Sequence, residues 1–260
     1  AGQGAPSDGL ARLLAQGRAR VKTRLRSPRN RCDAPARARA GNRRFVCARR
    51  SAGLDARARS GHDGAVMRDS QNQPRSRPGP EAVIATSENA AQAYARSRDR
   101  SLFERRWLDR ALSFAAGRRV LDLGCGPGRP IAAYLADRRC TITGVDAAPS
   151  MVEMFAANLP GARAVEADMR GLDLGEAFDI ILAWNSLFHL SADDQRAMFA
   201  TFAAHAHDGT VLMFTSGPDA GEATGTAGGL PIYHASLAPW EYRDLLMAYG
   251  FEHQLYPPSP

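Results

Sequence analysis

Three glycines and two acids carry the most legible chemistry of the chain. Gly124, Gly126 and Gly128 follow the apolar run of Val120, Leu121 and Leu123. Asp146 stands 20 residues beyond Gly126, closing a second apolar run from Ile142 to Val145. Glycine has no Cβ, so such a turn lets backbone approach a ligand closely. A carboxylate about 20 residues further on is placed to accept hydrogen bonds from ribose hydroxyls. The two signals together imply a nucleotide-like ligand. A pyrophosphate fingerprint would require G-x-G-x-x-G, whereas the third position counted from Gly124 and Gly126 is Arg129. The pattern is G-x-G-x-G with Asp122 before it, which disfavours a dinucleotide.

The elements that must hold these residues follow from periodicity. Pro130 suits the first turn of a helix, and Ile131, Ala132, Leu135 and Ala136 supply its buried stripe, so the glycine turn opens a βαβ unit. A second helix is expected over 148–159, and a third strand over 162–167 ending at Asp168 and Met169. Residues 178–184 form a nearly continuous apolar run, as in a central parallel strand buried on both faces. Asn185 to His189 then fall at its carboxyl end, where open α/β sheets bind ligands. A helix capped by Ser191 runs to about His207, with His205 and His207 in its last turn, and Thr210 to Thr215 make a fifth strand. The glycine-rich stretch 216–231 exceeds an ordinary connection and reads as a mobile lid. A helix over 239–249 capped by Gly250 leads to a sixth strand over 251–256. Two helices precede the first strand, over 86–118, with Phe103, Trp107, Ala111 and Phe114 on one buried face; Tyr94 in the first of them reads as structural.

The segment Val-Leu-Asp-Leu-Gly-Cys-Gly-Pro-Gly at 120–128, with Asp146 and Asp168, resembles the class I S-adenosylmethionine-dependent methyltransferases over roughly residues 86–256. The stretches Ala183-Trp184-Asn185, 214–217 and 232–237 look like a bacterial small-molecule subgroup. The resemblance implies an α/β fold with a doubly wound, mostly parallel, Rossmann-like sheet, S-adenosyl-L-methionine as cofactor, and methyl transfer to a small molecule. It assigns the methionine end to Asp122, Gly124 and Gly126, the ribose to Asp146, and the adenine to Asp168 and Met169. Cys125, Gly128, Ala147, Met151, Ala183 and Trp184 complete the cofactor candidates. Alignment of a nucleophile with an activated methyl group can supply about 7–11 kcal/mol, so a dedicated base is optional.

Trp184, Asn185, His189 and Tyr233 are the catalytic candidates, with Trp184 to Ser186 and Tyr233 expected to face the acceptor. His189 has the pKa range of a general base, but beside Phe188 and Leu190 it reads equally as structural. The chain has neither the Asp/Asn-Pro-Pro-Tyr/Phe signature of methylation at nucleic-acid amino groups nor a Pro-Cys pair for cytosine carbon. Two alternatives share some of these features: a nicotinamide-dependent oxidoreductase, and a non-enzymatic or RNA-binding module using a basic tail.

That tail dominates the overall charge of +7. Residues 1–80 hold 19 Lys and Arg against 5 Asp and Glu, a balance of +14, while residues 81–260 hold 15 against 22, a balance of −7. Only nine residues of 1–80 are Leu, Ile, Val or Phe, too few to offset chain ordering, so this Arg/Ala-rich segment is expected to be disordered and the enzyme domain to span 81–260. It reads as a low-complexity extension, a nucleic-acid-binding arm or a transit peptide, and Met67 is a plausible internal start. Nucleic acid is not an expected partner of the folded domain. No apolar run spans a bilayer and no signal-peptide segment is evident, which gives a cytoplasmic, non-membrane expectation. Cys32, Cys47, Cys125 and Cys140 form no C-x-x-C pair, so neither a metal nor a disulfide framework is indicated. The oligomeric state is left open. Pro257-Pro258-Ser259-Pro260 cannot extend a sheet, so the family's usual last antiparallel strand is expected to be missing, as in a truncated product with an exposed edge.

Overall fold

The structure, a computed structural model, describes residues 43–49 and 77–253. In chain order these form β1 (Arg43–Arg49), α1 (Val83–Ser97), α2 (Arg105–Phe114), β2 (Arg119–Leu123), α3 (Ile131–Ala136), β3 (Thr141–Asp146) and α4 (Pro149–Asn158). Then come β4 (Arg163–Glu166), β5 (Phe178–Ala183), α5 (Ala192–Ala204), β6 (Ala206–Ser216), β7 (Gly221–Ala227), β8 (Leu230–Ser236), α6 (Pro239–Ala248) and β9 (Phe251–His253).

Alternation along the strands builds two cores, one on each face of the sheet. In β5, Ile180 and Leu182 join Val120, Val211 and Met213 against Leu108, Leu135 and Phe155 of α2, α3 and α4. Ile181 and Ala183 join Leu121, Leu212 and Phe214 against Phe199, Phe202 and Tyr242 of α5 and α6. A strand buried on both faces cannot alternate apolar with polar residues, and this is why 178–183 reads as an unbroken apolar run. The sheet order is β4-β3-β2-β5-β6-β1-β9, with every pairing parallel. Strand order reverses between β2 and β5, and ligands of such sheets bind at the carboxyl ends beside that reversal.

Four expectations need correction. Residues 43–49, within the stretch expected to lack a fold, form β1 and pair with β6 from Arg44↔Val211 to Arg49↔Ser216. Composition averaged over 80 residues conceals a strand held by backbone hydrogen bonds; the rest of 1–76 lies outside the described residues. The edge of β6 is covered by β1, and β9 pairs in parallel with the far side of β1. The aromatic stripe holds only in part: Ala111 is buried and Trp107 and Phe114 pack partly buried against the same core, but α2 buries Leu108 and Leu112 beside them and Phe103 precedes the helix and is 51 % exposed. The supposed lid over 216–231 is largely an antiparallel hairpin of β7 and β8, whose Gly228 and Gly229 take φ of +55° and +89° as a tight hairpin turn requires.

A buried polar knot ties this hairpin down. Gln195 of α5 donates through Nε2 to the carbonyls of Leu190 and Ala235 at 2.9 and 3.0 Å. Its Oε1 accepts from the Tyr242 hydroxyl, which itself accepts from Leu237 N at 3.1 Å. Gln195→Ala strands these buried partners and should cost about 1–3 kcal/mol in urea unfolding, accompanied by faster amide exchange in β8. Deleting residues 1–50 removes the seven-residue strand β1 and should lower stability by roughly 2 kcal/mol or more, at about 0.5–1.5 kcal/mol per ladder hydrogen bond. Unchanged urea unfolding in that deletion would show the strand contributes nothing.

Candidate functional site

The glycine turn leaves β2 under a steric constraint. Gly124 has φ +71°, and a Cβ there would lie 2.3 Å from the Ser186 Cβ. Ser186 fills that space and donates through Oγ to the Leu123 carbonyl at 2.6 Å, joining the ends of β2 and β5. Gly124 N and Cys125 N both donate to the Val145 carbonyl, at 2.8 and 3.1 Å, so the end of β3 also steers the turn. Asp146 closes the arrangement: Oδ2 accepts from Gly126 N at 2.9 Å and Oδ1 from Ala148 N at 3.0 Å, at the start of α4. Burial raises its carboxyl above the ordinary value, against these backbone hydrogen bonds, which lower it.

Two cavities meet at this turn, sharing Tyr94, Gly124, Gly126 and Asn185 on their walls. The larger is a cleft, partly open to solvent, bounded by the turn, α1, the short helix Leu187–His189 and the hairpin. Among the sequence candidates, Asp146, Ala147, Met151, Asp168, Met169 and His189 line it. The smaller cavity is lined by Asp122, Cys125, Gly128 and Trp184, together with Arg98. Asn185 is at the junction in the left-handed region, φ +54°, a conformation Asn tolerates better than most side chains. Its backbone N donates to Thr215 Oγ1 at 2.8 Å.

Three candidates lie elsewhere than the sequence suggested. Ala183 is buried in the β5 core and lines neither cavity. Trp184 packs in the other core and reaches only the small cavity, where its indole Nε1 is buried without a hydrogen-bond partner among the described residues. Tyr233 lines neither cavity, and its hydroxyl donates to Glu222 across the hairpin at 2.7 Å. Strand alternation explains this: Ile232 and His234, flanking Tyr233, line the cleft. Reading 230–236 as a strand rather than a loop exit would have placed His234 there.

Helix α1 is held across the site by a carboxylate. Glu88 accepts from Ser150 N at 2.9 Å and from the Ser150 hydroxyl, at the N-terminus of α4, where a negative charge is favoured. These hydrogen bonds hold the Glu88 carboxyl below its usual value. This seats Tyr94 near the turn, its ring 3.9 Å from where a Gly126 Cβ would stand. Asp168 is clamped by Arg170, whose Nε and Nη2 donate to its carboxylate at 2.9 and 2.5 Å and whose backbone N adds a bond at 2.9 Å. Burial pushes Asp168 up, but the Arg170 hydrogen bonds and charge outweigh it and the net shift is downward.

Asp122 is 5 % exposed at the end of β2, and burial first, then the Asp146 charge, push its carboxyl up to about 7. Below about pH 7 the neutral form is therefore favoured in the ligand-free fold. A carboxyl raised above its unfolded value near 3.9 contributes stability below that value and loses it as pH rises through the folded one. Thermal unfolding of ligand-free protein should accordingly show a fall in stability between about pH 4 and 7 that is absent in Asp122→Asn. Parallel pH profiles for the two proteins would contradict the burial argument.

Comparison with known proteins agrees with this geometry. A family model described as a methyltransferase domain matches residues 120–209. Trans-aconitate 2-methyltransferase of Escherichia coli O6:K15:H31 (strain 536 / UPEC) is 42 % identical over 71 residues, 26 % of this chain and 27 % of that protein. The enzyme of the same name from Enterobacter sp. (strain 638) is 44 % identical over 69 residues, 26 % of this chain and 27 % of its own. The chain thus spans about a quarter of the length of the curated relatives it matches. The fold is similar to the CcbJ methyltransferase from Streptomyces caelestis, with TM-score 0.51 and 21 % identity over 65 % of this chain and 87 % of that one. A methyltransferase domain thus covers the glycine turn, both acids and the strand beyond them, residues 120–209 of the chain.

Proposed function

We propose that the protein transfers a methyl group from S-adenosylmethionine to a small-molecule acceptor. The observation that carries this reading is the meeting of the two cavities at Gly124, Gly126, Tyr94 and Asn185. One elongated ligand, with an amino-acid end and a nucleoside end, fits across that junction. The residues present suit it. Asp122 offers a carboxylate for an ammonium, and Trp184 Nε1 is a buried donor awaiting an acceptor such as a carboxylate. Asp146 retains lone pairs for ribose hydroxyls beyond its two backbone bonds. Asp168, Met169 and Met151 form the wall expected to meet the base.

When bound, S-adenosylmethionine supplies a methyl group already activated by its sulfonium. Catalysis by the chain is then mainly positional. The Gly124 backbone fixes the methionine end, Asp146 the ribose, and Tyr94 with Asn185 border the junction through which the nucleophile must approach. Val83, Ile84, Phe188 and Ile232 give the remaining cleft an apolar lining that favours an apolar acceptor body and excludes water. Orientation of this kind can supply about 7–11 kcal/mol of the barrier. The nicotinamide alternative is disfavoured by the G-x-G-x-G spacing and by the family match.

Asp146→Ala should weaken S-adenosylhomocysteine binding by about 1.5–3 kcal/mol per charge-assisted bond lost, measured by calorimetry, with Asp146→Asn retaining part of it. Wild-type affinity in Asp146→Ala, or tight NADH binding by the native chain, would overturn the assignment.

A further inference from the structure

The outer face of α6 carries exposed apolar and charged side chains in a fixed order. Tyr242 and Leu246 are buried and fix the helix against the core. On the other side Trp240, Arg243, Asp244 and Met247 are all exposed. Trp240 and Met247, at 62 % and 59 %, are the most exposed large apolar side chains among the described residues. Exposed apolar groups that share one surface mark a contact for another molecule, whereas single ones scattered over a fold need no partner. Glu241, at the margin of this face, is held by Arg196 at 2.6 Å, while Arg243 and Asp244 have no charged or hydrogen-bonding partner among the described residues.

The helical repeat sets how these groups lie. Residues 240 and 247 are separated by nearly two turns, so Trp240 and Met247 fall almost in line along the helix. At about 100° per residue, Arg243 falls on one side of that line and Asp244 on the other. This pattern is self-complementary under one symmetry. If two copies lie side by side with their α6 helices parallel, and a two-fold axis runs between the helices along their length, the Arg243 flank of each copy meets the Asp244 flank of the other. Trp240 and Met247 then meet their own counterparts between the flanks, as apolar positions seven residues apart do in a parallel helix pair. An antiparallel pairing would set Arg243 against Arg243 and Asp244 against Asp244. A partner of one charge sign would satisfy only one flank. The charge pattern thus selects a second copy of this chain, in one orientation.

We propose that α6 is the seam of a reversible homodimer whose two α6 helices run parallel. A seam of ten residues from each copy falls short of the roughly 1,200–2,000 Å² buried in stable interfaces, so the dimer should dissociate on dilution. No residue of this face lines either cavity, so the proposal stands apart from the methyl-transfer reading.

Sedimentation equilibrium of the full chain should show monomer and dimer exchanging in the micromolar range. Arg243→Glu sets acid against acid across the seam, and Asp244→Lys sets base against base, so each should weaken self-association roughly tenfold or more. An equimolar mixture of these two variants should associate as well as the wild type, because every charge then faces an opposite one. Misfolded variants could not recover in this way. Trp240→Ala should also raise the dissociation constant roughly tenfold or more, since the indole is lost from both halves. A wild type that stays monomeric up to about 1 mM, a dimer indifferent to Trp240→Ala or to either single charge reversal, or a mixture that fails to recover would each overturn the proposal.

Discussion

The close approach of Gly124 to Ser186 is the constraint on which the site depends. These residues follow the two strands flanking the reversal of strand order, and the Ser186–Leu123 bond fixes the distance between them. A side chain at Gly124 would have to displace Ser186, and with it the geometry that lets Asn185 border both cavities. The sheet below is interchangeable apolar packing by comparison. What the two cores supply is rigidity beneath a turn whose backbone hydrogen bonds converge from β3.

Charge is distributed along the site in an ordered way. Asp122 and Asp146 lie buried at the glycine turn, where burial first raises the cost of ionising each, with the Asp146 charge adding to that of Asp122 and the Glu88 charge to that of Asp146. A cationic ligand relieves that cost, so part of the affinity for a sulfonium with an ammonium beside it is prepared in the empty fold. At the other end Asp168 is already compensated by Arg170. The end of the site at the glycine turn is thus prepared for a cation, while the end at Asp168 is close to neutral.

The glycine turn, its acids and the buried strand β5 were legible because their signals are local: fixed spacings, and a run of apolar residues whose burial on two faces removes alternation. What escaped depended on partners distant in sequence. Gly225 and Gly228 read as loop residues, yet one makes room for His234 and the other, with backbone of α1 within 2.8 Å of a would-be Cβ, lets the hairpin lie on that helix. Without the hairpin the phase of 230–236 is open, and only its pairing with β7 shows that Ile232 and His234, not Tyr233, face the cleft. The stripe of α2 failed similarly at Phe103, which has the right spacing but lies outside the helix. The strand β1 was hidden by the composition of the tract around it.

The position of β1 has consequences for the order in which the fold can be made. It is synthesised long before β6 and β9, and both of its ladders wait for strands at the far end of the chain. Contacts of such sequence separation close late, because loop entropy must be overcome before they contribute. The half-sheet β4-β3-β2-β5 and the glycine turn need nothing from β1 and can assemble first. The outer strands β1 and β9 then lock together in a terminal step, so a ribosome-bound chain would hold a formed glycine turn while its sheet was still incomplete on one side.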